Sequence, residues 1–256
     1  NSNFEPQIFL NFLDQRCFLI IIFTTLYLNE GKPNSMKNQN EPVTFEFNKR
    51  IVRYKKSPAG STSSVLVLVH GLTGDENSMW IFASKLPDTT AILAPRAPLN
   101  APTTGFSWVN INQSKEKILL DLQQEACKFH DWLNQFLQSN DMSGFPIHLV
   151  GFSQGASMVY LLMLLFPEEF HSAICLSGFL PHGIESWITP EKVANAHFFI
   201  SHGNKDEIIP VSQARLAATL LKEAGAQVTY CEESTTHKLS PTCQKKLQSY
   251  LENILI

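Results

Sequence analysis

The sequence predicts an α/β fold whose sheet is mostly parallel. Short runs of β-branched and apolar residues alternate along the chain with longer segments whose apolar residues recur at helical spacing. Several short runs are apolar throughout, which is typical of strands that are buried on both faces of a parallel sheet. Strands that alternate with helices favour a sheet covered by those helices.

The strand pattern begins with VTFEFNKRIVRY at residues 43–54, where apolar and polar residues alternate as in a half-exposed antiparallel hairpin. Six further strand candidates follow it. They are SSVLVLVHG (63–71), TTAILAPRAP (89–98), PIHLVGFS (146–153), HSAICLSG (171–178), AHFFISHG (196–203) and AQVTYCEES (226–234).

Four segments between the strands have the features of helices. Residues 114–138 carry one apolar stripe, and residues 155–166 are apolar all round, which predicts a buried helix. A third helix spans about residues 211–225 and ends at Gly225 as its C-cap. The last begins with Ser240 as N-cap and Pro241 at the first helical position.

The composition limits the classes of function. Hydrophobic residues make up 44% of the 256 residues, enough for a sizeable core. The net charge of −3 provides no basic surface for nucleic acid or an anionic membrane. The five cysteines are scattered and form neither a CxxC pair nor a zinc spacing. This pattern favours reduced thiols in a cytoplasmic protein over a disulfide framework.

The N-terminal residues 1–39 are predicted to be an extension outside the fold, and residues 40–256 form one domain. The apolar run Cys17–Leu28 is too short for a confident membrane span, and no stable membrane insertion is expected. The chain begins with Asn1 and its first methionine is Met36, which favours an upstream extension or a mis-set start. A signal peptide or membrane anchor and an amphipathic helix are the alternatives.

Three chemically complementary residues follow three different predicted strands. Ser153 lies in the turn G-F-S-Q-G, Asp206 in the segment HGNKDEIIP, and His237 before the last helix. Parallel strands bring their carboxyl ends to one edge of the sheet, so these side chains can meet there. Histidine can activate a serine hydroxyl, and a carboxylate fixes the tautomer of that histidine. The order Ser, Asp, His indicates a nucleophilic triad.

Each of these residues also has a plainer interpretation. Ser153 could be an ordinary serine in a glycine-rich turn, although the strand before it and the apolar helix after it favour a nucleophile. Asp206 could be a solvated loop acid, with Glu207 as the alternative partner, and His237 could be an exposed loop histidine. His70 is interpreted as structural.

The motifs together resemble the phospholipase/carboxylesterase family of α/β-hydrolases, which includes acyl-protein thioesterases and small bacterial carboxylesterases. The resemblance runs from about Val65 to the C-terminus. It rests on LVLVHGLTGDE, APRAP, GFSWVNI, LVGFSQGASMVYLL, SGFLP, HGNKDEIIP and the loop of His237. It implies an oxyanion hole made by the backbone N–H groups of Leu72 and Gln154. The threonines before His237, where the family often has a glycine, are a departure.

The segment between the strands at 171–178 and 196–203 is too short to hold a cap domain, so we expect an open, apolar cleft. The residues predicted to bind substrate are Trp108, Phe152 and Phe179, although core packing would equally explain these aromatic side chains. No guanidinium or amine cluster near the motifs indicates a charged substrate. No metal or cofactor motif is present, since the glycines fit neither a dinucleotide-binding turn nor a P-loop.

The predicted function is hydrolysis of small-molecule esters or thioesters with short to medium acyl chains. An acyl-protein thioesterase or a lysophospholipase is the alternative within the same chemistry, and a serine peptidase is less favoured. Outside enzymes, the alternative is a catalytically silent protein of this fold that binds a ligand, because fold alone does not determine function. The sequence predicts no oligomeric state.

Overall fold

The computed structural model describes residues 41–255, except residues 59, 84 and 85. The predicted extension, residues 1–39, lies outside the described residues. Ten strands are present in this part of the chain. In chain order they are β1 Val43–Phe47, β2 Arg50–Lys55, β3 Ser64–Val69, β4 Thr90–Pro95, β5 Leu99–Asn100, β6 Phe106–Ser107, β7 Ile147–Phe152, β8 Ser172–Leu176, β9 His197–Gly203 and β10 Gln227–Glu233.

Eight of these strands form one sheet in the order β1-β2-β4-β3-β7-β8-β9-β10. All neighbours from β4 to β10 pair in parallel. Strand β2 pairs antiparallel with β4, and β1 and β2 form the predicted hairpin at the edge of the sheet. The short strands β5 and β6 form a separate two-stranded sheet. The predicted mostly parallel sheet is therefore confirmed.

Helices cover both faces of the sheet. They are α1 Lys115–Ser139, α2 Gln154–Leu165, α3 Pro190–Val193, α4 Val211–Glu223 and α5 Pro241–Ile254. Buried side chains of α1, α2 and α4 share one core cluster with Val65 and Val67, whereas α5 packs with Leu66 and Leu68 in a second cluster. Because alternate residues of a strand point to opposite faces, β3 serves both cores.

The helix ends follow the predicted capping pattern. The Ser240 hydroxyl accepts a hydrogen bond from the Cys243 N–H at 3.1 Å, and Pro241 occupies the first helical position of α5. Gly225 follows the last turn of α4 with a φ of 91°, a conformation that favours glycine. Within the described part of the chain, no helix combines the length and the apolar character that a membrane crossing requires.

The connection between β8 and β9, residues 177–196, holds only a single short turn of 3₁₀ helix and the four-residue α3. A cap domain cannot be formed by such a segment. In the described part of the chain, the carboxyl edge of the sheet therefore has no domain inserted between β8 and β9, which agrees with the prediction for this segment.

The cysteines depart from the expectation of reduced thiols. Cys231 in β10 and Cys243 in the first turn of α5 form a disulfide, with Cα atoms 5.8 Å apart. The prediction is wrong for this pair because residues 12 apart in sequence are brought together only when α5 packs on the sheet. Disulfides persist mainly in oxidising compartments. A cytoplasmic location therefore stays a prediction that has lost the support of the cysteine count.

Removing the disulfide is expected to destabilise the domain. A closed loop of this length lowers the entropy of the unfolded chain, which corresponds to about 3 kcal/mol. The variant with both Cys231→Ser and Cys243→Ser should therefore unfold several degrees lower in a thermal melt under oxidising conditions. As the control, a reductant should lower the melting temperature of the parent protein but not that of the variant. Equal melting temperatures under oxidising conditions would contradict this expectation.

Candidate active site

Ser153 stands on a strained turn between β7 and α2. Its backbone has φ 52° and ψ −118°, a conformation that residues other than glycine rarely adopt. Its N–H donates to the Leu176 carbonyl oxygen at 2.9 Å, which ties the turn to the end of β8. Such strain persists only where the surrounding structure enforces it, and it is concentrated at functional sites. The turn lifts the serine to the carboxyl edge of the sheet.

Two glycines let this turn pack closely. A Cβ atom on Gly155 would overlap the Val69 carbonyl oxygen at the end of β3, and one on Gly151 would overlap the backbone of Gly155. The first turn of α2 therefore lies directly against the strand ends. A side chain at either position would push α2 away from the sheet, so the spacing of glycine, serine and glycine follows from contact distances.

Asp206 and His237 form a hydrogen-bonded pair. Asp206 Oδ2 lies 2.7 Å from His237 Nδ1. Asp206 Oδ1 accepts hydrogen bonds from the N–H groups of Ile208 and Ile209, both at 2.9 Å. The carboxylate side chain is fully buried, whereas the imidazole is 16% exposed. A proton on Nδ1 therefore points at the carboxylate, and Nε2 is left to accept one.

The environment of Asp206 keeps its carboxyl group ionised. Burial raises the pKa of Asp206, but the hydrogen bonds from Ile209, His237 and Ile208 outweigh it and lower the pKa below its ordinary value. An ionised carboxylate that is favoured in the folded state stabilises the fold above the unfolded-state pKa of about 3.9. This contribution is lost as the pH falls through the lower pKa of the folded state.

Backbone contacts hold the loop of His237 against the loop of Asp206. The N–H of Lys205 donates to the Thr235 carbonyl oxygen at 3.0 Å, and the N–H of Asn204 donates to the Glu233 carbonyl oxygen at 2.9 Å. The His237 ring in turn lies 5.0 Å, between centroids, from the ring of Phe152, the residue before Ser153. The structure thus places the predicted serine, aspartate and histidine at one edge of the sheet.

The loop after β3 also reaches this edge. A Cβ atom on Gly71 would lie 3.2 Å from Ser153 Cβ, so the backbone before Leu72 passes directly beside the serine. The His70 side chain holds this loop through two hydrogen-bonding contacts. Its Nδ1 lies 2.7 Å from the Gly71 carbonyl oxygen, and its Nε2 accepts a hydrogen bond from the Ala97 N–H at 3.0 Å. Burial lowers the pKa of His70, which favours this neutral, structural form.

Gln154 contributes a contact that the sequence did not reveal. Its backbone N–H is at the first position of α2, where no earlier helical carbonyl can accept it. Its side-chain Oε1 accepts a hydrogen bond from the backbone N–H of Trp108 at 2.9 Å, and its Nε2 lies 3.2 Å from Ser107 Oγ. The side chain therefore fastens the segment after β6 to the start of α2.

The three aromatic residues predicted to bind substrate occupy different environments. Phe152 and Phe179 are half-buried beside the serine turn and after β8. Trp108 is only 1% exposed, and its indole N–H donates to the His70 carbonyl oxygen at 2.7 Å. Trp108 thus supports the loop of His70 from behind, and its contact with a substrate stays a prediction.

A cavity of about 570 Å³ lies on the other side of Trp108, between the β1–β2 hairpin and α1, and no predicted triad residue lines it. Arg50 and Arg96 face it, a pair of guanidinium groups that the sequence motifs did not indicate. Arg50 is 2.6 Å from the Glu125 carboxylate, and Arg96 forms a two-point ion pair with Glu76 at 2.7 and 2.8 Å. Both cations are therefore neutralised within the fold.

Most of the described region matches known proteins. The sequence profile described as Phospholipase/Carboxylesterase matches residues 52–255. An acyl-protein thioesterase 1 from Emericella nidulans is 25% identical over 219 residues, covering 75% of this chain and 91% of that protein. Carboxylesterase SOBER1 from Arabidopsis thaliana is 25% identical over 204 residues, covering 73% of this chain and 87% of its own.

Solved structures agree with this assignment at the level of the fold. The carboxylesterase of Bacillus cereus superimposes with a TM-score of 0.67 at 20% identity, covering 79% of this chain and 93% of that one. Esterase PE8 superimposes with a TM-score of 0.64 at 23% identity, covering 78% and 97%. The α/β-hydrolase fold is thereby confirmed. The profile match, which spans most of the chain, shows that this protein belongs to the phospholipase/carboxylesterase family.

Proposed function

We propose that this protein is a serine hydrolase of carboxylic esters or thioesters in which Ser153, His237 and Asp206 act as a triad. The observation that carries the proposal is the 2.7 Å hydrogen bond between Asp206 and His237 at the same sheet edge as the strained turn of Ser153. The carboxylate orients the imidazole with Nε2 free, which is the arrangement that a general base requires.

The reaction follows from these positions. Ser153 Oγ attacks the carbonyl carbon while its proton passes to His237 Nε2. The tetrahedral intermediate collapses as the imidazolium returns the proton to the leaving alcohol or thiol, and an acyl-serine remains. A water molecule then attacks the acyl-serine and gives its proton to the same nitrogen. The imidazolium returns a proton to Ser153 Oγ as the acid is released, which restores the serine hydroxyl and the neutral imidazole. Asp206 stabilises the imidazolium in both halves.

The negative charge that develops on the carbonyl oxygen needs donors close to Ser153. The backbone N–H groups of Leu72 and Gln154 are our candidates, because the loop of Leu72 passes beside the serine and the Gln154 N–H begins α2. The loss of one such donor costs about 3–4 kcal/mol of transition-state stabilisation in serine hydrolases. The hydrogen bonds of the Gln154 side chain and of His70 hold the two donor segments in place.

The substrate proposal rests on the shape of the edge and on the relatives. Residues 177–196 between β8 and β9 hold no cap domain, and Phe152 and Phe179 are half-buried, so an open cleft beside them is our proposal. An open apolar cleft suits short to medium acyl chains of small-molecule esters. The relatives named acyl-protein thioesterase keep the alternative of acylated proteins as substrates, and a lysophospholipase activity stays within the same chemistry.

A catalytically silent binding protein is the competing interpretation. Silent relatives of hydrolases usually lack one member of the triad, whereas all three residues are present here and two of them are hydrogen-bonded. A fluorescent organophosphonate distinguishes the two classes directly, because it forms a covalent bond only with an activated serine.

Replacement of Ser153 tests the triad. Ser153→Ala should keep the fold, lose organophosphonate labelling and lose about 10⁴-fold or more in the rate of ester hydrolysis. Asp206→Asn should cost about 10⁴-fold, since the amide favours the wrong imidazole tautomer. The matched control is Glu207→Gln, an exposed neighbour, which should retain activity. An active, labelled Ser153→Ala protein, or a crippled Glu207→Gln with a normal Asp206→Asn, overturns the assignment.

Replacement of Gln154 tests the support of the oxyanion loop. Gln154→Met keeps the backbone N–H of residue 154 but removes the side-chain oxygen that accepts from the buried backbone N–H of Trp108. Because that N–H is then left without an acceptor, the free energy of unfolding should fall by about 1–3 kcal/mol. The rate per titrated active site should fall about tenfold or more, because a displaced donor stabilises the oxyanion poorly. Gln138→Met, on the exposed side of α1, is the control. Denaturant melts and kcat/KM measure both effects, and wild-type values in both would refute the role.

A panel of esters tests the substrate class. With p-nitrophenyl esters from acetate to palmitate, kcat/KM should be highest for the short and medium chains, because no cap encloses a long one. Ser153→Ala provides the blank rate. A preference for palmitate, or faster cleavage of an S-palmitoylated peptide than of any small ester, would favour the acyl-protein thioesterase alternative instead.

A further inference from the structure

A second histidine contacts the carboxylate of Asp206. His202, near the end of β9, has a fully buried side chain whose Nε2 lies 3.2 Å from Asp206 Oδ2. The same nitrogen lies 2.9 Å from the Ile209 carbonyl oxygen. Both neighbours are acceptors, so Nε2 must carry the proton.

This contact adds a second imidazole beside a carboxylate that already accepts three hydrogen bonds. Oδ1 accepts two backbone N–H groups, and Oδ2 lies against His237 Nδ1 and His202 Nε2. The backbone of Ile209 is held at both ends, because its N–H donates to Asp206 and its carbonyl accepts from His202. His202 therefore restrains both the carboxylate and the loop that carries it.

Packing alone does not account for a histidine at this position. Its other ring nitrogen, Nδ1, is buried and has no hydrogen-bond partner among the described residues. Burying a polar atom without a partner costs free energy, and an aliphatic side chain would fill the space without that cost. What a histidine adds here is the Nε2–H, which donates to the Ile209 carbonyl oxygen and lies close to Asp206 Oδ2.

We propose that His202 is a positioning residue for the hydrolysis: its Nε2–H donates to the Ile209 carbonyl oxygen and lies against Asp206 Oδ2, and it thereby holds the Asp206 loop in the orientation that His237 uses. The inference rests on the proposed function, since it assigns His202 to the same triad. His202 acts through Asp206 and touches neither substrate nor the reacting atoms. Its loss should therefore lower kcat while KM stays near its parent value, because the binding surface is unchanged.

His148 provides a matched control. It is also a buried strand histidine, and its Nε2 has no hydrogen-bond partner in the described part of the chain. Its Nδ1 lies 2.8 Å from Ser172 Oγ in β8, away from Asp206. If a buried histidine matters only for packing, then changes at His148 and His202 should have the same kind of effect. A catalytic deficit confined to His202 separates positioning from stability.

The experiment compares His202→Leu, His202→Gln and His148→Leu, with kcat expressed per active site titrated by an organophosphonate burst. The loss of the Nε2–H removes its hydrogen bond to the Ile209 carbonyl oxygen and its close contact with the Asp206 carboxylate, so we expect kcat of His202→Leu to fall about tenfold. The glutamine amide can place a donor where Nε2 stands, so His202→Gln should recover most of that loss. His148→Leu should change the melting temperature but not kcat.

Several outcomes would overturn the proposal. They are a parent-like kcat in His202→Leu, a glutamine variant as impaired as the leucine variant, and an equal kcat deficit in His148→Leu. Should His202→Leu not fold, His202→Asn supplies the comparison, because its shorter amide cannot reach Oδ2. Ser153→Ala separates the proposed function from the proposed role of His202. Activity retained in Ser153→Ala refutes the proposed function. An inactive Ser153→Ala together with a normal His202→Leu refutes only the role of His202.

Discussion

The rest of the candidate site depends on the buried carboxylate of Asp206. A charge without exposure to water is costly unless it is paired and hydrogen-bonded, and here two backbone N–H groups and two imidazoles surround it. One imidazole comes from β9 and the other from the loop after β10. The same contacts that make the buried charge tolerable therefore join two loops and set the tautomer of His237.

Ser153 lies at the same edge of the sheet as this carboxylate because of the topology of the sheet. Parallel strands end at one edge, so loops far apart in sequence meet there without a dedicated scaffold. The strain in the serine turn is balanced by the close packing of α2 against β3, which the small size of Gly155 permits. On the opposite side, the Cys231–Cys243 disulfide joins the two ends of the segment that carries His237. Both reactive loops are thus held by contacts outside the reacting atoms.

The features that could be predicted from sequence are those with local signals. The hairpin alternation, the Ser240 cap and the serine turn each depend on neighbouring residues, and the structure contains all three elements. The disulfide, the bond from Trp108 to the Gln154 side chain and the contact of His202 with Asp206 were missed. The first two join elements whose approach depends on the whole fold. His202 lies close to Asp206 in sequence, but at the end of a strand it could not be told from a packing residue.

The buried side chain of Trp108 lies between the loop of His70 and the charged residues that line the cavity beside α1. On one side its indole supports the loop of His70, and on the other the guanidinium of Arg50 lies 5.5 Å from the centre of its ring. Burial raises the pKa of Glu125, and the nearby Arg50 opposes that shift. The two groups therefore form an ion pair within the fold. A substrate anion in that cavity would compete with Glu125 for the Arg50 guanidinium, and none of the proposed triad residues lines the cavity. We therefore expect discrimination among substrates to come from apolar contacts beside Ser153, above all from Phe152 and Phe179.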